Sequence, residues 1–163
     1  MHRARKGQVF VLLAPGFEET DLAVVTCLLR RAGLPVIVVG LMAGPIRGAY
    51  GLLVTPDATL SEVEGERPRA VVLPGGVQAA RQLGAEPRVY TLLRQVAGEG
   101  GYLLALGAAD AVLRNAAVCQ GSAEEREEGA IGGPEMGKVE EAVVRLVALL
   151  EGRGSPLPPQ AGG

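Results

Sequence analysis

Four short apolar runs, each ending at a glycine or no more than two residues before one, alternate along this chain with segments that favour helix. The runs are Gln8–Ala14, Pro35–Gly40, Ala70–Leu73 and Tyr102–Leu106. Val, Leu and Ala dominate them without polar alternation, which is typical of strands buried on both faces of a parallel sheet. Strands that alternate with helices predict a doubly wound α/β fold, with a mostly parallel sheet and helices on both of its faces.

The segments between the runs complete a single predicted domain over residues 1–152. Helices are predicted at five places: Glu18–Ala32, Val77–Leu83, Pro87–Ala97, Ala109–Ala116 and Lys138–Glu151. Residues 42–54 predict a small hairpin, and Pro56-Asp57 predicts a turn. The stretch Val118–Gly137 has no assignable element. Residues 153–163, with three prolines and no core residues, predict a loose tail.

Charge and composition exclude several classes of partner. The chain carries 16 basic and 18 acidic residues, with Arg and Lys scattered rather than in a stripe, and only 3% aromatic residues. A net charge of -2 gives no field that would attract nucleic acid or an anionic membrane, and few rings are available to stack on bases. No apolar run reaches the roughly 20 residues of a membrane span, and Gln8–Ala14 is too short for a signal peptide. We therefore predict a cytoplasmic protein without nucleic-acid or membrane partners.

The few histidine and cysteine residues limit the chemistry. The single histidine, His2, lies in the basic N-terminal segment, so we expect no His-dependent triad, no His-rich metal site and no histidine general base. No cofactor is predicted. The two cysteines, Cys27 and Cys119, form no CxxC motif and no disulfide framework. We expect Cys27 to pack in the core. Cys119 is either a small core residue or a reactive thiol near the site.

Four motifs occur in order along the chain. They are the segments 14–21 (APGFEETD), 30–33 (RRAG), 56–60 (PDATL) and 71–76 (VVLPGG). Together they resemble the ThiJ/PfpI superfamily. The resemblance implies a flavodoxin-like fold, a homodimer or larger assembly, and a site in which a first-loop carboxylate holds a cysteine on a strand-to-helix elbow, beside an oxyanion hole of backbone amides. Members include proteases, glyoxalase- or deglycase-like enzymes and chaperone-like proteins.

Carried over residue by residue, the resemblance implies where each part of that site falls. The carboxylate falls on Asp21, the oxyanion amides on Gly75 and Gly76, and the elbow cysteine on Gly107. Glycine supplies no thiolate, and nucleophilic catalysis needs a nucleophile beside a base, so cysteine chemistry is predicted to be absent. Ala108 and the three glycines remain candidate binding residues for a small anionic or carbonyl ligand.

Each candidate also has a structural explanation. Asp21 lies in the first turn of a predicted helix, where an acid interacts favourably with the helix dipole and can cap the helix. Glu18 and Glu19 are interpreted as solvated acids of the same turn. The glycine pair could simply allow a tight turn. Asp110 is expected to cap the helix after the elbow, and its charge would weaken any phosphate site there.

Three functions are consistent with this sequence. The leading hypothesis is a family member without catalysis that binds a small molecule or assembles through its dimer surface. The first alternative is a hydrolase, lyase or glyoxalase-like enzyme that uses Asp21 as general acid or base with the Gly75 and Gly76 amides. The second, a protease or chaperone-like protein, rests on resemblance alone. Because 48% of the residues are hydrophobic and few are aromatic, part of the apolar face of Glu18–Ala32 is expected to contact a second copy.

Overall fold

A six-stranded parallel sheet lies at the centre of the computed structural model, which describes residues 7–116, 130–131 and 139–152. In chain order the strands are β1 (Val9–Leu13), β2 (Val36–Gly40), β3 (Ile46–Arg47), β4 (Leu53–Val54), β5 (Ala58–Thr59), β6 (Ala70–Leu73), β7 (Tyr102–Ala105) and β8 (Ala130–Ile131). The sheet has the order β5-β2-β1-β6-β7-β8, while β3 and β4 form a separate antiparallel hairpin. The predicted parallel sheet is confirmed.

The middle strands are buried along their whole length, as their sequences require. All five residues of β1 and all four of β6 are buried. Val11 of β1 pairs with Val38 of β2 on one side and with Val72 of β6 on the other. Because both faces and both edges of these strands are covered, aliphatic side chains fill them, and each fully buried one stabilises the fold by roughly 1.5–3 kcal/mol.

Helices cover both faces of the sheet. They are α1 (Glu19–Arg31), α2 (Val77–Gly84), α3 (Pro87–Gly98), α4 (Asp110–Asn115) and α5 (Val139–Leu150), and a 3-10 turn at Gly107–Ala109 leads into α4. α1 packs against α5, whereas α2 contacts α3 and α4. Since right-handed crossovers run outward in opposite directions from β1 and from β6, the two groups of helices lie on opposite faces. This is the predicted doubly wound arrangement.

The sequence prediction missed strand β5, and it assigned no element to the stretch that contains β8. Pro56-Asp57 was expected to begin a turn, but the next two residues form β5, which pairs with the outer edge of β2. The Asp57 carboxylate accepts a hydrogen bond of 2.8 Å from the amide of Val38 and fixes this segment to the edge. A two-residue strand shows no alternation of polar and apolar residues, so its pattern carries no signal.

The expectation that Cys27 packs in the core is wrong, because its side chain is exposed. α1 turns a stripe of Leu22, Val25 and Leu29 toward the sheet. At 100° per residue, a position two residues from both Val25 and Leu29 points away from that stripe. The apolar content of the helix concealed which side faces the core.

Several predictions fall on residues outside the described ranges. They concern His2, Cys119, the tail 153–163 and most of Val118–Gly137, of which strand β8 is described. Within the described ranges, no helix has the length and apolar character needed to cross a bilayer.

Candidate functional site

Three loops meet where the strand order of the sheet reverses. β1 and β6 are neighbours, but the chain leaves them toward opposite edges of the sheet, and such a reversal opens a crevice at the carboxyl ends of the strands. Gly16 follows β1, Gly75 follows β6 and Gly107 follows β7. The predicted site residues therefore come together at one edge of the sheet.

The Asp21 carboxyl is buried beneath this crevice. Its residue is 9% exposed, and its Oδ2 accepts a hydrogen bond of 2.8 Å from the amide of Gly75. Burial raises the pKa of Asp21 above its ordinary value of 3.8, and the hydrogen bond from Gly75 only partly opposes that rise. Asp21 is not the N-cap of α1, which is Glu18, but it lies in the first turn of the helix, where an acid interacts favourably with the helix dipole.

Glu18 is a second carboxyl at the same place, and its expected solvation is wrong. The residue is half-buried, and its backbone amide donates a 2.9 Å hydrogen bond to the Gly75 carbonyl. Desolvation raises the pKa of Glu18, and the charges of Asp21 and Glu19 raise it further. The sequence carried a signal for this pairing, because residues three apart lie on the same face of a helical turn.

Glu19 also differs from the expected solvated acid, because its carboxylate makes hydrogen bonds to the β3–β4 hairpin. Its Oε1 accepts hydrogen bonds from the amides of Tyr50 at 2.8 Å and Leu52 at 3.3 Å. These hydrogen bonds lower the pKa of Glu19, although desolvation opposes them. A β-carbon at Gly48 would collide with this carboxyl, so the glycine allows the close approach. Glu19 therefore ties the β3–β4 hairpin to the start of α1.

Gly75 and Gly76 are required by space as well as by backbone conformation. A β-carbon added to Gly75 would lie 2.7 Å from Asp21 Oδ2 and 3.5 Å from Glu18 Cγ. Gly76 has a φ of +117°, and a β-carbon there would collide with the carbonyl oxygen of Gly16. The Gly75 amide donates to Asp21, which leaves the Gly76 amide as the remaining donor of the predicted pair.

Gly107 lies open at the mouth of the crevice. It has a φ of +50° and is exposed, and a β-carbon added to it would have Gly75 Cα as its nearest neighbour, 3.8 Å away. Ala108 beside it is exposed as well. Asp110 does not cap the following helix, since its carboxylate pairs with Arg114 at 2.8 Å instead. Position 107 thus offers free volume on the side of Gly75, the glycine that contacts Asp21 and Glu18.

The arrangement can bind a polar ligand group through hydrogen bonds. A protonated carboxyl donates a hydrogen bond and an ionised carboxyl accepts one, and a raised pKa extends the pH range over which the proton is present. Two carboxyls in one crevice disfavour an anionic group beside them when they are ionised. Hence the ligand group that suits this place is a carbonyl or a hydroxyl.

Comparisons with known proteins agree on the family. Residues 7–123 match the DJ-1/PfpI family. Protein dj-1beta of Drosophila melanogaster is 37% identical over 112 residues, which are 68% of this chain and 60% of that protein. Its crystal structure superposes with a TM-score of 0.79 at 27% identity, covering 91% of this chain and 92% of that one. The glutathione-independent glyoxalase DJR-1.2 of Caenorhabditis elegans is 29% identical over 110 residues, 68% of this chain and 59% of that protein.

The fold and the site define a class of protein: a flavodoxin-like α/β sandwich. Its crevice lies where the strand order reverses and is lined by glycines and carboxyls. The chain belongs to the DJ-1/PfpI family. The aligned part spans about three fifths of the length of the two relatives compared by sequence.

Proposed function

We propose that this protein binds a small carbonyl-containing molecule in the crevice around Gly107 and forms no covalent bond to it there. The observation that carries the proposal is the open, exposed position 107, with free space toward Gly75 and no side chain of its own. A covalent step at this position would need a nucleophile, and glycine has none. The space that a side chain would fill is therefore open to ligand atoms.

The two carboxyls favour a carbonyl over an anion as the group bound near Gly75. Asp21 and Glu18 both have raised pKa values, for which burial is the first cause. In its protonated form either group can donate a hydrogen bond to a carbonyl oxygen. When ionised, both repel a carboxylate or phosphate. Of the two predicted ligand classes, anionic and carbonyl, the neutral carbonyl is thus the better match.

Binding can be tested with hydroxyacetone, a neutral carbonyl compound, by saturation-transfer NMR. The wild-type protein is expected to transfer saturation to this probe, and Gly107→Met is expected to abolish the transfer because its side chain fills the free space. Gly33→Met is the matched control, since Gly33 also has a positive φ, +78°, and open surroundings, but lies at the end of α1. Equal transfer in wild type and Gly107→Met would contradict the proposed site.

An enzymatic function is a second candidate, favoured by Asp21. This buried carboxyl has a raised pKa at the crevice, as a general acid or base would need, and one relative is named a glyoxalase. The test is consumption of methylglyoxal by wild type and by Asp21→Asn. Turnover that is lost in Asp21→Asn and unaffected by iodoacetamide would support this candidate. Turnover that iodoacetamide abolishes would assign the chemistry to a thiol and overturn both candidates.

A further inference from the structure

An open groove of about 420 Å³ lies between α2 and α4, next to the crevice. It is lined mainly by small or apolar residues, with one cation, one amide and the Tyr90 side chain from α3. The residues used below are Val77, Ala80, Arg81, Ala108, Ala111 and Asn115. Its volume falls within the range typical of small-molecule sites in proteins, about 300–1,000 Å³.

The groove begins where the crevice ends. Val77 on one wall directly follows Gly76, and Ala108 on the other wall directly follows Gly107. The groove and the crevice are therefore adjacent, with consecutive residues linking them on both sides.

The walls of the groove leave room for an aliphatic chain. Alanine occupies three lining positions: Ala80 on α2, Ala108 in the 3-10 turn before α4, and Ala111 on α4. At the opening, Val77 is 62% exposed, which is high for a branched aliphatic residue. Covering such surface with a hydrocarbon chain removes apolar area from water and is favourable, by up to about fourfold in affinity for each methylene that becomes fully buried.

Arg81 gives the groove a positive charge. It lies one helical turn beyond Val77 on α2 and is exposed. Among the described residues no carboxylate forms an ion pair with it, whereas Arg88 and Arg114 pair with carboxylates at 2.9 and 2.8 Å. A guanidinium without such a partner is complementary to a ligand carboxylate, which it can bind through two parallel hydrogen bonds.

We infer that the groove binds a small amphipathic organic acid. The ligand's carboxylate pairs with Arg81, and its aliphatic chain lies against the alanines and Val77. The opposite end of the chain points to Gly107. Only the placement of that far end rests on the proposed function, because the groove and Arg81 are separate from the carboxyls Asp21 and Glu18. The two ends of the ligand therefore differ in charge, with the anionic end at Arg81 and a neutral polar end at the crevice.

Straight-chain acids test the groove directly. Acetate, butanoate and hexanoate are titrated into the protein by ligand-observed NMR, and affinity is expected to rise with chain length. Arg81→Gln is expected to weaken hexanoate binding about tenfold through the loss of a charge-assisted contact. Ala111→Leu is expected to weaken it to a similar degree by filling the groove. Arg31→Gln and Ala23→Leu, two exposed positions on α1, are the matched controls and are expected to bind as wild type does.

The outcomes separate this inference from the proposed function. Apart from the carboxylate that pairs with Arg81, hexanoate has no polar group that could bind in the crevice. Its binding therefore reports on the groove alone. Absence of hexanoate binding, or equal binding by Arg81→Gln and wild type, would overturn the groove even if hydroxyacetone binds. A preference for 6-hydroxyhexanoate over hexanoate that disappears in Asp21→Asn would connect the two parts of the site. Hexanoate binding without such a preference would retain the groove and refute the placement of the far end.

Discussion

Position 107 combines a backbone conformation that favours glycine with space that would admit a larger residue. Its φ of +50° lies in the left-handed region, where a β-carbon costs free energy, yet the nearest atom to such a carbon is 3.8 Å away. Gly76 also has a positive φ but has no space for a β-carbon, because the Gly16 carbonyl lies against it. Glycine at 76 is thus fixed by sterics, whereas glycine at 107 is fixed only by backbone strain.

Alanine substitutions should separate these two cases. Gly107→Ala is expected to lower the free energy of unfolding by about 1 kcal/mol, the cost of strain alone. Gly33→Ala, with positive φ and open space, should cost about the same. Gly76→Ala should cost at least about 2 kcal/mol more, because the backbone must move away from Gly16. Urea denaturation measures all three, and equal losses at 76 and 107 would contradict this account.

The buried carboxyl of Asp21 should make stability fall as pH rises. Its pKa is raised, so the folded protein holds this proton more tightly than the unfolded chain does. The free energy of unfolding therefore decreases as pH climbs from the ordinary value of 3.8 through the higher folded value. Asp21→Asn lacks this loss of stability. The substitution also removes the Asp21 charge that helps to raise the pKa of Glu18, so the loss of stability that comes from Glu18 becomes smaller as well.

The measurement is urea denaturation of wild type and Asp21→Asn at pH 4 and pH 7. The variant should gain stability relative to wild type between the two values. Glu86→Gln is the control of opposite sign, because hydrogen bonds from Arg88 lower the pKa of Glu86 to about 2 and its ionised form stabilises the fold. Glu86→Gln should lose stability relative to wild type over the same interval. A stability difference between wild type and Asp21→Asn that does not change with pH would refute the assignment.

At the scale of elements, the β3–β4 hairpin depends on contacts outside itself. Each of its strands has two residues, and an isolated two-stranded hairpin is marginal in water. The Gly16 amide donates to the Arg47 carbonyl at 2.8 Å, and Glu19 accepts hydrogen bonds from Tyr50 and Leu52. These contacts connect the hairpin to the loop after β1 and to the start of α1.

Removing the Glu19 carboxyl should loosen the hairpin without unfolding the sheet. In Glu19→Ala the amides of Tyr50 and Leu52 lose their acceptor, so their hydrogen exchange should become faster while amides of β1 keep their protection. Glu18→Ala, one residue away, is the control, since the Glu18 side chain makes no hydrogen bond to the hairpin. Unchanged exchange at Tyr50 in Glu19→Ala would show that other contacts hold the hairpin.

The sequence predicted the elements whose signal is local and missed features that depend on distant partners. The buried strands β1, β2, β6 and β7 each show a continuous apolar run, so they were identified to within one or two residues. The role of Glu19 could not be predicted, because its partners lie 31 and 33 residues away. The same holds for the pairing of Asp21 with Gly75 through a hydrogen bond, although the resemblance brought both residues to one site. The groove could not be predicted either, because it forms only where α2 and α4 approach each other in space.

For the whole molecule, the distribution of exposed apolar residues bears on assembly. α1 buries Leu22, Val25 and Leu29 and also packs against α5, so a partner contact on this helix would use the residues that remain exposed or half-buried, such as Ala23 and Val24. In the part of the chain that the structure describes, four of the six large exposed hydrophobic residues lie in or beside the hairpin: Met42, Tyr50, Leu52 and Leu53, with exposures between 56% and 84%. An exposed apolar patch of this kind is typical of an interaction surface.

We therefore predict a homodimer whose interface contains these exposed residues, which we call the hairpin patch. In a twofold dimer the same patch occurs on both copies, so one substitution acts on both sides of the interface. Sedimentation equilibrium at micromolar concentration should give twice the monomer mass of 16.8 kDa for wild type. The double substitution Leu52→Glu and Leu53→Glu should shift the protein to the monomer mass, because ionised carboxylates cannot be buried cheaply. Val144→Glu, at a residue 58% exposed on α5, is the control and should leave the dimer intact. A wild-type protein at the monomer mass would refute the dimer, and a dimer that survives the double substitution would place its interface elsewhere.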